Sequence, residues 1–163
     1  FVSDIIKSVR ENVDDDFIVG LRFSQWKQHD FEAKLAATPD DLKKVLLPPV
    51  HAGLDYLHSS MRRFWESEFE NSEENLAYWT KKISNIPTIG VGSVGLDSDF
   101  IDMTAPATPT SIDKVIEDIS NGKYDLIAVG RALLSDHEWV IKMKEGRLGD
   151  VIPYTKEALM NLY

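Results

Sequence analysis

The feature that most constrains this chain is a rhythm: four short apolar runs, rich in β-branched residues, each followed by a segment of helical pattern. The runs are Phe17-Ile18-Val19-Gly20-Leu21-Arg22-Phe23, Leu54-Asp55-Tyr56-Leu57-His58, Ile86-Pro87-Thr88-Ile89-Gly90-Val91 and Asp125-Leu126-Ile127-Ala128-Val129. Near-continuous apolar runs of this length predict parallel strands buried on both faces, and the alternation predicts βα units. A leading helix is predicted over 1–10, because apolar residues fall at 1, 2, 5, 6 and 9. It starts at Phe1 without a convincing cap, so we expect a piece of a longer protein.

The helices between the runs carry start and stop signals. Thr38-Pro39-Asp40-Asp41 pairs a capping Thr with Pro at the first helical position, and Pro48-Pro49 predicts a stop near Leu47. Asn71-Ser72-Glu73-Glu74 predicts the next start, with Glu74 closing a capping box. Ser111 starts a third helix that Asn121-Gly122 ends. Ser135-Asp136-His137-Glu138 is a capping box for a fourth, ended by Gly146, and a short helix follows Thr155. The one long irregular stretch, Leu96 to Thr110, has the length of a functional or interaction surface.

Two α/β architectures accept four βα units: a small doubly wound sheet, or half of a (β/α)₈ TIM barrel. The barrel predicts ligand contacts at the C-terminal ends of strands, with phosphate held by the last two strand–helix loops. The chain supplies that pattern. Its 27 acidic against 18 basic side chains give a net charge of −9, which argues against nucleic-acid partners. No apolar run approaches the roughly 20 residues that span a bilayer, and no secretory signal is visible. Zero cysteines exclude disulfides, thiolate metal sites and thiol nucleophiles. A cytoplasmic location is the expectation.

The third run ends in Gly90-Val91-Gly92-Ser93-Val94-Gly95, formally a dinucleotide fingerprint. That fingerprint must open a helix directly, and here an irregular stretch follows, so the Rossmann reading is rejected. Gly92 still lets backbone approach an anion, with Ser93 as an added donor; the plain alternative is a tight turn. The fourth run ends in Gly130-Arg131, which combines backbone access with a fork-shaped cation; the alternative is a surface arginine pairing with Asp136. Arg22 lies inside the first strand, where a cation needs a partner: an anionic ligand, or a carboxylate such as Asp55. His58 and Ser59 read as hydrogen-bonded core, Met61-Arg62-Arg63-Phe64-Trp65 as a solvated amphipathic loop, and Asp14-Asp15-Asp16 as a polar turn. No set of side chains has metal-ligand spacing, and no catalytic acid–base pair is evident.

These residues resemble the Old Yellow Enzyme family, the NADH:flavin oxidoreductases built on an FMN-binding barrel. The similarity runs from the helix at Phe1 through Val19-Gly20-Leu21-Arg22-Phe23-Ser24, Gly53 to Ser59 and Ile86 to Ser93. Its most specific part is Gly122 to Asp136. The resemblance implies that residues 1–163 form one C-terminal half-barrel segment, strands five to eight with their helices. It further implies an FMN-dependent NAD(P)H oxidoreductase, with NADH or NADPH as reductant and a small electrophilic substrate. Arg22 then matches the arginine beside the flavin's pyrimidine edge, and Gly92, Ser93, Gly130 and Arg131 match the phosphate pocket. The family's His/His or His/Asn substrate pair and its tyrosine proton donor precede the first helix here, so no catalytic residue is assigned. The remaining partners expected are the N-terminal half of the barrel and, left open, further copies of the chain. The alternative reading is a non-catalytic half-barrel that binds a phosphorylated ligand and pairs with another half. A small sugar-phosphate isomerase suffers from having only four strands.

Overall fold

The computed structural model describes residues 1–98 and 106–160. Four strands, β1 (Gly20–Phe23), β2 (Tyr56–Ser60), β3 (Thr88–Val91) and β4 (Leu126–Ala128), form one parallel sheet in the order β1-β2-β3-β4. All four lie inside the predicted runs or one to two residues beyond them. β1, β3 and β4 are shorter than their runs, and carboxylates take backbone N–H groups at the starts of β1 and β3. Asp55 accepts from the Val19 N–H at 2.7 Å, and Asp125 accepts from the Thr88 N–H at 2.7 Å.

Helices α1 (Val2–Arg10), α2 (Pro39–His51), α3 (Leu76–Ser84) and α4 (Asp113–Ser120) belong to the predicted set. Two boundaries depart from expectation. Helix α2 runs through Pro48 and Pro49 to His51. The Ala52 N–H still bonds the carbonyls of both prolines, and the Pro49 ring is buried with Leu42 and Leu46. The carbonyls of Lys44 and Val45, deprived of donors, sit on exposed residues where water can serve them. Packing of the last turn outweighs the lost bonds. Helix α3 starts four residues later than predicted, because Asn71 takes a positive φ of 60° and Asn75 caps the helix by accepting from the Tyr78 N–H at 3.0 Å. Glu74 instead pairs with Lys123 at 2.8 Å.

After β4 the chain makes an unpredicted short helix, α5 (Arg131–Ser135), before α6 (Trp139–Lys144). The expected capping box does not form; the Asp136 carboxylate does the work from outside α6, accepting from the Glu138 N–H at 3.1 Å. The short helix expected after Thr155 is present as a 3₁₀ helix over Lys156–Leu159.

Helices cover one face of the sheet. Leu57, Ser59 and Thr88 point into that layer and are fully buried, each Leu of this kind contributing about 2 kcal/mol. The Ser59 hydroxyl donates to Thr80 at 2.8 Å, which donates to the Leu76 carbonyl, so the polar pair is satisfied. The other face carries Arg22, Tyr56, His58, Ser60, Ile89, Val91, Leu126 and Ala128 by alternation and register. It is open: Leu126 is 59% exposed.

Candidate functional site

A cavity of about 270 Å³ opens at the C-terminal edge of the sheet. Arg22, Gly92, Ser93, Gly130 and Arg131, the five residues singled out in the sequence, all line it. Each sits at or just past the C-terminal end of its strand, so the parallel arrangement alone brings together residues more than a hundred positions apart.

Arg131, half-buried at the start of α5, is held by several groups. It donates to the Ser98 carbonyl at 2.6 Å and to the Ser93 hydroxyl at 3.3 Å, and its guanidinium lies over the Tyr154 ring at 5.3 Å. The alternative pairing with Asp136 is overturned: Asp136 is 1% exposed and binds Lys142 at 2.8 Å and the Ile152 N–H at 3.0 Å. Burial alone would raise the Asp136 carboxyl. Its bonds from Lys142, Ile152 and Glu138 win, and it lies below the usual carboxylate range.

Ser93 takes a positive φ of 50°, a conformation costly for a residue other than glycine, asparagine or aspartate. Its hydroxyl donates to the Arg62 carbonyl at 3.1 Å while accepting from Arg131, which fixes the turn between two neighbours. At Gly92 a Cβ would meet the Met61 carbonyl oxygen at 2.8 Å. Backbone there cannot yield, so only glycine fits. At Gly130 a Cβ would meet nothing within 4 Å. That glycine leaves open space.

Arg22 extends along the open face and donates to the Ser60 hydroxyl at 3.1 Å. It does not pair with Asp55, whose carboxylate accepts from Arg10 instead. His58 is Arg22's lateral partner in the sheet. Burial first and the Arg22 charge second hold its imidazole below the usual range, hence neutral near pH 7.

Sequence reasoning missed the three further lining residues with polar side-chain groups: Trp26, Ser60 and Arg62. Arg62 is not in a solvated loop. Its guanidinium lies over the Phe31 ring at 4.9 Å, and it lines both this cavity and a neighbouring one of about 280 Å³. The available signal was position, since Arg62 comes two residues after β2, at the sheet edge that carries the other contacts. Gln25 was missed as well. Buried between loops, its amide bonds Ala36 twice, at 2.9 and 3.0 Å, and reaches Glu68 at 3.1 Å. Burial raises the Glu68 carboxyl above its ordinary value despite nearby Lys34.

Three arginines and no carboxylate line the first cavity among the described residues, in a chain of net charge −9. A fixed guanidinium, a hydroxyl and a backbone position stripped of side chain make an oxyanion cradle. Residues 1–150 match the model of the NADH:flavin oxidoreductase / NADH oxidase family. The chain belongs to this family. An NADH oxidase from Thermoanaerobacter brockii is 31% identical over 159 residues, covering 93% of this chain and 22% of that protein. A probable NADH-dependent flavin oxidoreductase, YqiG of Bacillus subtilis (strain 168), is 27% identical over 150 residues, covering 90% of this chain and 35% of its own length. The chain thus spans about a fifth to a third of these relatives.

Among solved structures, TcOYE in complex with pHBA superposes with a TM-score of 0.57 at 20% identity, over 89% of this chain and 33% of that one. Histamine dehydrogenase from Rhizobium sp. 4-9 gives a TM-score of 0.56 at 18% identity, over 91% of this chain and 20% of that one. The four parallel strands therefore match part of the Old Yellow Enzyme barrel. Family members are FMN-dependent oxidoreductases. Among the described residues no helix is long and apolar enough to cross a membrane, and no cluster of three His, Asp or Glu side chains could hold a metal ion.

Proposed function

We propose that this chain is the flavin-phosphate-binding segment of an FMN-dependent NAD(P)H oxidoreductase, corresponding to strands five to eight of the barrel. The observation that carries the reading is the convergence of Arg22, Gly92, Ser93, Gly130 and Arg131 on one cavity. Arg131 and Ser93 would hold the FMN phosphate, with Gly92 and Gly130 giving its oxygens room. A cavity of about 270 Å³ suits the phosphate end of the cofactor, since sites for whole ligands of that size run from about 300 Å³ upward. The rings would then lie over the open sheet face toward Arg22. FMN, when bound, supplies the hydride relay between nicotinamide and substrate. Arg22 would stabilise negative charge on its pyrimidine edge. The substrate-gripping and proton-donating groups come from the remainder of the barrel, which also covers the open face, and the acceptor is a small electrophile such as an activated alkene.

Titration of the purified protein with FMN, followed by flavin fluorescence, tests this. Binding should be saturable, and Arg131→Ala should weaken it about thirtyfold, the value of one or two charge-assisted hydrogen bonds. A protein that leaves FMN fluorescence unchanged while binding inorganic phosphate would favour the non-catalytic phosphate-binding reading. Binding of FMN unaffected by Arg131→Ala would sink the site assignment.

A further inference from the structure

The cation proposed to serve the redox edge of the flavin is the least restrained of the pair. Arg22 is exposed on an outer strand, and a long side chain there samples many rotamers unless something fixes its head. His58 lies directly opposite in register but is hydrogen-bonded to no described residue through its buried Nε2. The group that does reach Arg22 is Ser60, one step further toward the cavity on β2.

Ser60 is itself fixed. Its carbonyl accepts from the Trp26 indole N–H at 3.2 Å, and the Trp26 ring packs on Phe31 with centroids 5.5 Å apart. Its place in β2, opposite Val91, sets the height of its side chain on the open face. Its hydroxyl accepts from Arg22 and so keeps one proton to give. Beside a guanidinium that O–H is polarised, and hydrogen bonds in such a chain strengthen one another. Ser60 lines the cavity.

We infer that Ser60 is a positioning residue: through the chain Trp26–Ser60–Arg22 it aims the Arg22 guanidinium at the pyrimidine edge of the flavin. This rests on the FMN reading above. Oxidised flavin is neutral at that edge, whereas the reduced, anionic form carries its charge there. A device that aims a cation at the edge therefore favours the reduced cofactor selectively. The phosphate is charged in both states, so the Arg131 contacts favour both equally.

The experiment is a pair of affinities, for oxidised FMN and for FMN reduced with dithionite under anaerobic conditions, measured by ultrafiltration on the same protein. Ser60→Ala should weaken binding of reduced FMN about tenfold, the worth of a hydrogen bond to a charged group. Oxidised FMN should bind within about twofold of its original affinity. Ser60→Thr, which keeps the hydroxyl, should restore the ratio. Arg22→Ala should give the same signature, and the double variant should lose little more, because the two act as one unit. Arg131→Ala should weaken both forms alike. Ser60→Ala that shifts both forms equally, or neither, while Arg22→Ala shifts the ratio, would overturn the role of Ser60 and leave the flavin reading standing. A protein that binds neither form of FMN would overturn the flavin reading itself, and this inference with it.

Discussion

The two ends of the cavity are built differently. At one end Arg131 is wedged between Ser93 and Ser98 of the loop after β3 and the Tyr154 ring from near the C-terminus. At the other, Arg22 stands on an outer strand with a lateral hydroxyl as its hydrogen-bond partner. The first end is organised in advance by folding, at the cost of an unfavourable φ at Ser93 and a position closed to any side chain at Gly92. The second keeps its cation near the surface, where small changes in its surroundings alter its effect. A fixed corner suits a group whose charge never changes, and an adjustable one suits a group whose charge does.

The most damaging way to break the comparison acts on the fixed end from behind. Asp136 ties α5 to the segment carrying Tyr154 through Ile152, and its charge compensates buried Lys142. Asp136→Asn leaves that ammonium only the more distant, exposed Glu138 carboxylate at 3.9 Å and should cost about 3 kcal/mol by urea unfolding near pH 7. Because the folded carboxyl titrates below its unfolded value, its contribution is present above the unfolded pKa of about 3.9 and is lost as pH falls through the folded pKa. The gap between variant and parent should therefore narrow on acidification in that window. Next in size is Gly92→Ala. Its Cβ must displace backbone at Met61, so a loss of about 2 kcal/mol is expected, together with weaker binding of inorganic phosphate.

The smallest effect belongs to the adjustable end. Arg22→Met removes the lesser of two causes that depress His58, so its pKa, followed by NMR of the ring protons, should rise without reaching the unperturbed value of about 6.5. Since the folded pKa is depressed, the folded state loses stability as pH falls from that value toward the folded one. Arg22→Met should shrink that loss. An unchanged His58 titration would show that burial alone sets it.

The fixed end was largely legible in the sequence, and the reason is topological. In a parallel sheet every strand delivers its last residues to the same edge, so reading where apolar runs end locates Gly92, Ser93, Gly130 and Arg131 without knowing any contact. Partners were not legible. Asp55 and Asp136 were the nearest carboxylates in pattern, yet each is claimed by another cation, Arg10 and Lys142, that only tertiary packing brings close. Arg62 was hidden by the glutamates that follow it, because charge density along a chain does not say which side chain turns back over the sheet. The prolines of α2 misled for a similar reason: the rule against proline weighs lost bonds and ring clash within the helix, and burial of the Pro49 ring against Leu42 and Leu46 offsets them here.

The sequential order of the strands also has a consequence for handling the molecule. Along β1 and β4 the outer backbone N–H and C=O groups have no strand neighbour among the described residues. Exposed Ile18 lies just before one edge and exposed Leu126 on the other. Such edges are templates for pairing with further chains, and strands of four and three residues offer them only a few bonds each. Self-association of the isolated polypeptide should therefore be weak and concentration-dependent, with a loss of monomer on gel filtration that grows with loading. Lysine at Leu126, a charge set on the open edge, is the substitution that should suppress it.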